Sequence, residues 1–493
     1  MENGVSRQKG GGGASMAERG KKPGAAMIVF SVCSILQKCM PFILMPFLTR
    51  MLSVEDYGIY SAYSAWLTIL ASVCTLNLHL GVFNNGMHRF AEDRERYASA
   101  MVWVTILLLM LFSALALPLR KRLSGWFSLP GEYVPWMFVQ ILFQQFFNLW
   151  VAKERYIYGF RRLLALVGLY CAAGTVFPAA ALYLWRADAA GVIISAVLVQ
   201  VLFGTVCAAE LLIRGRCSAN GTYIRYAVGF NLALMPHYLS GVILGQVDRT
   251  MINSMCGAAS AAVYSVAHTF ALALNFAVSS VNAAIVPWTY EAMAKKRMKE
   301  LNRITAILAG SFAVLLCIFV LVMPEIMKLF VTREYYDAVR LVPPIAVSSY
   351  FIFLYNLFAN VEFYFEAKYF ISVSSVLAAV LNVALNYVFI TRYGYTAAAY
   401  TTGVCYALYA LFHFINVRRL GKKHLPGEAL YPMKILAAAA GLLSAGVLGI
   451  LPVYDSVIVR YVLLAVIFAA VFVKRKELIK EVRYVFTEEK GQA

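Results

Sequence analysis

Residues 31–47 read SVCSILQKCMPFILMPF. The stretch is apolar or small almost throughout, yet Lys38 stands at its centre. It belongs to a longer apolar run, 25–48, enough for a helix to cross roughly 30 Å of hydrocarbon. Read as a membrane span, it decides the fold class and leaves Lys38 to be explained. The lysine lies about a dozen residues from either end of its span, so snorkelling is a poor escape. A cation at that depth needs water, a carboxylate or an anionic ligand.

The rest of the chain agrees with a membrane reading. Of 493 residues, 61% are hydrophobic and 14% charged, and mean hydropathy is +0.70. Soluble domains average about 25% charged residues. Fourteen apolar segments recur between residues 25 and 473. The expected fold is all-α and polytopic, with about fourteen transmembrane helices. Nine cysteines form neither a CxxC nor a Cys/His ligand spacing, so no disulfide framework or zinc site is expected. No GxxxxGK[ST], DxD or HExxH occurs, and no Ser/His/Asp order emerges. No cofactor, metal or catalytic residue is expected, and the chain does not read as an enzyme.

Lys and Arg fall mainly in alternate loops, roughly three to one in favour of the side holding both termini. Both termini are therefore expected in the cytoplasm of a multi-pass protein of the inner (cytoplasmic) membrane. The net charge of +19 is mainly this topology signal, and suits anionic lipid rather than nucleic acid. The Gly-rich basic head 1–24 reads as a disordered cytoplasmic tail. Two similar halves follow. Segment 1 leads into TRMLSVEDYGIYSAYSAW, and segment 7 into DRTMINSMCGAASAAVYSVAHTF. Each has an arginine at the end of a span, a short turn, and then YS opening the next helix. The expected organisation is a six-helix lobe 25–213, a cytoplasmic linker 214–225, a second six-helix lobe 226–417 and a basic loop 418–432. Two additional helices over 433–473 and a cytoplasmic tail 474–493 complete the chain. A repeat of six spans keeps its membrane orientation, so the lobes relate by an axis along the membrane normal.

Polar residues form stripes. In the second segment Ser61, Ser64, Thr68, Ser72, Thr75 and His79 share a helix face. In the eighth, Ser265, His268, Asn275, Ser279 and Asn282 do the same. The fourth adds Gln140, Gln144 and Asn148. Ser31, Ser34, Lys38 and Pro41 share a face of the first. Small polar residues also serve helix packing, and a lone His79 or His268 is more often structural than catalytic. Lys38 fits packing least. Of the deep acids, Asp248 adjoins Arg249, Glu210 and Glu291 lie near cytoplasmic ends, and Glu362 and Glu366 lie near the end of a span. None sits clearly at the depth of Lys38, so an anionic ligand such as phosphate is its expected partner.

The elements LTRMLSVEDYGIYSAY, VDRTMINSMCGAASAAVYSVAHTF and LNVALNYVFITRYGYTAAAYTTGVCYAL resemble recurring patterns of the oligosaccharide flippases. These are the Wzx-type O-antigen and capsule repeat-unit flippases of the multidrug/oligosaccharidyl-lipid/polysaccharide superfamily. The resemblance covers roughly residues 25–420. It implies two pseudo-symmetric six-helix bundles around a central cavity, alternating access, and a polyprenyl-pyrophosphate-linked sugar as cargo. Membrane lipids, a polysaccharide polymerase and assembly proteins are the further partners implied. The candidate cavity residues are Lys38, Arg50, Arg249, His79, His268, Asn275, Asn282, Gln140, Gln144 and Asn148. Glu362, Glu366 and Asp248 are candidates for ion coupling. The alternatives are a cation-coupled multidrug antiporter of the same fold, a peptidoglycan-precursor flippase, and, ranked last, a membrane polysaccharide polymerase or ligase.

Overall fold

The computed structural model describes residues 23–428 and 430–487. Most of the expected head 1–24, and the last six residues of the tail 474–493, lie outside the described residues. Among the described residues all regular structure is helical. In chain order the helices are α1 (Pro23–Met51), α2 (Val54–Thr75), α3 (Gly81–Arg89), α4 (Arg94–Ala116), α5 (Arg120–Phe127), α6 (Tyr133–Tyr156), α7 (Phe160–Leu184) and α8 (Ala189–Arg214). The second half has α9 (Gly221–Cys256), α10 (Ala258–Ala294), α11 (Met298–Phe330), α12 (Ala338–Tyr364), α13 (Lys368–Tyr393) and α14 (Ala397–His424). It ends with α15 (Met433–Gly449) and α16 (Val457–Thr487). All but α3 and α5 are long. Twelve are long and apolar enough to cross a membrane; α2 and α6 fall short of that measure because they carry polar stripes.

The halves repeat their packing. α1 lies on α7 as α9 lies on α13, and α6 packs on α8 as α12 packs on α14. Even a turn recurs. After α6, Tyr158 takes φ 55° and Gly159 N–H donates to Glu154 O at 2.8 Å. After α12, Glu366 takes φ 55° and Ala367 N–H donates to Glu362 O at 2.9 Å. The two C-terminal helices are anchored to the second half. Tyr454 Oη donates to Val320 O at 2.6 Å. The buried Arg460 guanidinium grips both oxygens of Glu325 at 2.6 Å, a bidentate pair that fixes α16 against α11.

Two local expectations need correction. The short turn expected after Arg249 is absent: α9 runs on to Cys256, and Gly257 alone, at φ 89°, reverses the chain into α10. Positive φ costs glycine nothing, and Asn253, held by Ser128 O at 2.9 Å, keeps the extra turn ordered. His79 is not on α2. That helix stops at Thr75, where Leu76 and Asn77 take φ 49° and 51°. Asn77 closes back on Ser72 Oγ at 2.8 Å and on Thr75 Oγ1 through its N–H at 3.2 Å. Local side-chain bonding of this kind competes with continuing the helix.

Alternate helix ends define two faces, here the basic face, where α1 begins, and the opposite face. The apolar core bridges the halves at the opposite face. There Leu44, Met45, Leu48, Leu52 and Tyr57 join one buried cluster with Tyr264, Phe270 and Met327.

Candidate substrate cavity

The opposite face is sealed by direct contacts between the halves. The hydroxyls of Ser61 and Ser265 hydrogen-bond. Gly58 lies so close to Ala258 that an added Cβ would fall 1.8 Å from its carbonyl oxygen. Tyr57 meets Tyr335 edge-on at 5.7 Å. Thr332 Oγ1 donates to Thr49 O at 3.2 Å.

At the basic face the halves part on one side only. α9 stays with the first half: Asn231 Nδ2 donates to Leu76 O at 2.8 Å, and Phe90 packs on Tyr223 at 4.6 Å. Across the molecule, α1 meets α10 only sparsely. Residues of the two helices stay exposed at Ser31, Ile35 and Lys38 and at Ser279, Ser280 and Ala283. The result is a cleft between α1 and α10, open at the basic face and closed at the other.

Lys38 is exposed on α1 and its Nζ stands 5.9 Å from the Phe276 ring of α10. That cation–π contact spans the cleft. Among the described residues no carboxylate pairs with Lys38, and Pro41 follows one turn later inside α1.

Other candidates are dispersed. Arg50 lies at the sealed face, where its guanidinium donates to Leu329 O at 3.0 Å, capping the end of α11. Arg249 is held by Gln246, and its buried Nε has no hydrogen-bond partner. Gln140 accepts from Tyr63 Oη at 2.7 Å, tying α6 to α2. Gln144 keeps a buried unpartnered Oε1, and Asn148 is half-buried. His79 reaches Gln145 of α6 at 3.0 Å. The α10 stripe mostly turns away from α2. Asn282 accepts from Asn360 of α12 at 2.8 Å. His268 and Asn275 line a small pocket with Ser348, Ser349 and Thr402. Only Ser265 of that stripe meets its counterpart on α2.

A family profile described as polysaccharide biosynthesis protein matches residues 24–293, more than half the chain. The chain belongs to this family. An Lsg-locus protein of Haemophilus influenzae is 24% identical over 382 residues, covering 72% of this chain and 88% of that one. A solved structure titled lipid II flippase MurJ, inward closed conformation, superposes with a TM-score of 0.68 over 92% of this chain and 100% of that chain, at 10% identity. An inward-facing multidrug resistance MATE family transporter of the MOP superfamily does so at 0.63, over 81% and 99%, at 13% identity. This member of the polysaccharide biosynthesis protein family is a multi-pass membrane protein with the MOP fold.

In this family member the buried acids are tied up away from Lys38. Asp248 is 4% exposed and accepts hydrogen bonds from Tyr264 Oη at 2.7 Å, Asn386 Nδ2 at 2.6 Å and Thr402 Oγ1 at 2.6 Å. Glu362, fully buried, accepts from His413 Nδ1 at 2.5 Å and Asn416 Nδ2 at 2.9 Å. Glu366 is exposed on the turn after α12. No local pattern in the sequence marks Asn386, Thr402, His413 or Gln145, because each lies on a helix whose face is defined only by its neighbours. The same holds for Arg155, whose Nη2 donates to Ser34 Oγ of α1 at 3.1 Å.

Proposed function

We propose that the protein is a flippase carrying polyprenyl-pyrophosphate-linked oligosaccharide repeat units across the cytoplasmic membrane for polysaccharide assembly. The observation that carries this reading is Lys38: an exposed ammonium in the inter-helix cleft with no carboxylate beside it. A diphosphate is the natural complement, since charge-assisted contacts are strongest where water is sparse. The family supports a role in polysaccharide biosynthesis, and the fold supports alternating access. In this reading the basic face is cytoplasmic, and residues 25–213 and 226–417 are the lobes that rock. The cleft between α1 and α10 lets the lipid tail remain in hydrocarbon while the sugar head enters, and Pro41 and Pro46 let α1 bend.

The test is export of surface polysaccharide in cells depending on this chain alone. Lys38→Ala should abolish export while leaving the protein in the membrane. Lys38→Arg should keep part of it, and Lys38→Glu should be at least as defective as alanine. Normal export by Lys38→Ala would sink the reading.

A second element is favoured by the Asp248 cluster. A buried carboxylate beside the hydroxyl oxygens of Tyr264 and Thr402 offers hard oxygen ligands that suit a small cation, so we read it as the coupling site. The same carboxylate would serve an antiporter for organic cations, but a cleft presenting Lys38 repels such cargo. A peptidoglycan precursor bears the same diphosphate, so competition between the two lipid-linked cargoes in vesicles separates those readings.

A further inference from the structure

The polar stripe of α6 does not end at Asn148. Positions 140, 144, 148 and 155 fall within an arc of roughly 80° on an ideal helix, so Arg155 continues the face of Gln140, Gln144 and Asn148. Its side chain crosses to α1, where Nη2 donates to Ser34 Oγ at 3.1 Å. Ser34 lies one turn before Lys38 on the same face of α1. Arg155 of α6 thus reaches Ser34 of α1, and Lys38 stands on the next turn of the same face of α1 with its ammonium toward Phe276 of α10.

The neighbours of Arg155 have carboxylate or cation partners, and Arg155 has neither among the described residues. Lys153 pairs with Glu95, and Glu154 with Arg162 at 3.4 Å. Arg155 Nε is buried with no hydrogen-bond partner. The repeat supplies an internal control. The same turn follows α12, with Glu362 in the place of Glu154 and Phe363, half exposed, in the place of Arg155. The turn therefore forms without a cation, and the arginine is not there to shape it.

We propose that Arg155, Ser34 and Lys38 form a phosphate-binding subsite at the basic-face mouth of the cleft, taking the phosphate or diphosphate of a lipid headgroup. The Arg155 fork supplies directional donors and Lys38 a mobile point charge. The proposal rests on the cleft being the cargo path, and it names the residue that first receives the head.

The full-length protein, purified in neutral detergent, is titrated by native mass spectrometry with three probes: a C55 polyprenyl diphosphate, inorganic pyrophosphate and dioleoylphosphatidylglycerol. Arg155→Phe installs the residue of the equivalent turn, Arg155→Gln guards against misfolding of that variant, and Arg155→Lys keeps the charge without the fork. Binding of polyprenyl diphosphate should weaken about tenfold or more in Arg155→Phe and Arg155→Gln, and less in Arg155→Lys. Inorganic pyrophosphate bound with the same dependence on Arg155 also supports the subsite. Wild-type affinity for polyprenyl diphosphate in both uncharged variants overturns the subsite and leaves the flippase reading standing. Arg155-dependent binding of phosphatidylglycerol without polyprenyl diphosphate supports the subsite for an ordinary lipid headgroup and overturns the flippase reading. Failure of the wild type to bind any of the three overturns both.

Discussion

Ser61 and Ser265 hydrogen-bond to each other across the contact of α2 and α10, 204 residues apart in the chain. Each is the serine of a repeated YS pair that follows the turn between the first two spans of its half. A residue that meets its own repeat counterpart lies close to the axis relating the halves. The pair therefore marks where the halves close on one another, at the face away from the Lys38 cleft.

Locking that contact should stop transport. Ser61→Cys combined with Ser265→Cys, in a background lacking the nine native cysteines, should form a disulfide under mild oxidation, because the two hydroxyls already touch. Export should fall on oxidation and recover with reductant, each single cysteine serving as control. Undiminished export by the cross-linked protein would show that the opposite face never needs to open.

Gly58 sets how closely α2 and α10 approach. Even an alanine Cβ would fall 1.8 Å from Ala258 O, so Gly58→Leu must force the helices apart. The sealed face should then label readily, from the outside, at a cysteine placed at Ser265. Expression should persist and export should drop at least tenfold, as expected for a closed state destabilised by about 1.4 kcal/mol or more. Unchanged labelling would show that the seal does not depend on this approach.

Asp248 should behave as a charge-dependent site. Sodium chloride should raise the melting temperature of the wild-type protein above that in choline chloride by mass action, and Asp248→Asn should lose the rise while still folding. Asp248→Ala, which strands three hydrogen-bonding side chains, should cost about 3 kcal/mol or more. Equal melting of the wild type in both salts would exclude sodium from this position.

The Glu362, His413 and Asn416 cluster is fully or nearly buried. Glu362→Ala removes the acceptor for both donors and should lower stability by about 3–5 kcal/mol. Glu362→Gln, which keeps an acceptor oxygen, should lose distinctly less. Wild-type melting temperatures in both variants would mean that the carboxylate and its bonds contribute nothing to the fold.

Orientation is testable at the loop between α10 and α11. A reporter fused after Lys299, in the first turn of α11, should be active only in its cytoplasmic form, because the segment leading to it carries a dense run of Lys and Arg. Periplasmic activity there would reverse the reading of the cleft.

The all-α membrane class and the two-fold repeat were legible in the sequence, because hydropathy and helical period are local properties of the chain; of about fourteen expected spans, twelve helices among the described residues meet the measure for crossing. Also legible was the oddity of Lys38, which no local argument could pair. Which neighbour each face meets was decided only by tertiary packing. The α10 stripe has the same kind of polar face as the α2 stripe, yet His268, Asn275 and Asn282 turn to the interior of the second half and leave Ser265 at the contact. Asp248 and Arg249 are adjacent in sequence but point to different neighbours, because successive helical residues diverge by roughly 100°. Arg155 carries no signal in the sequence beyond its charge, and only the tertiary structure brings it to Ser34. A long-range contact depends on where two helices cross, and that follows from the packing of the whole bundle rather than from the pattern on either helix.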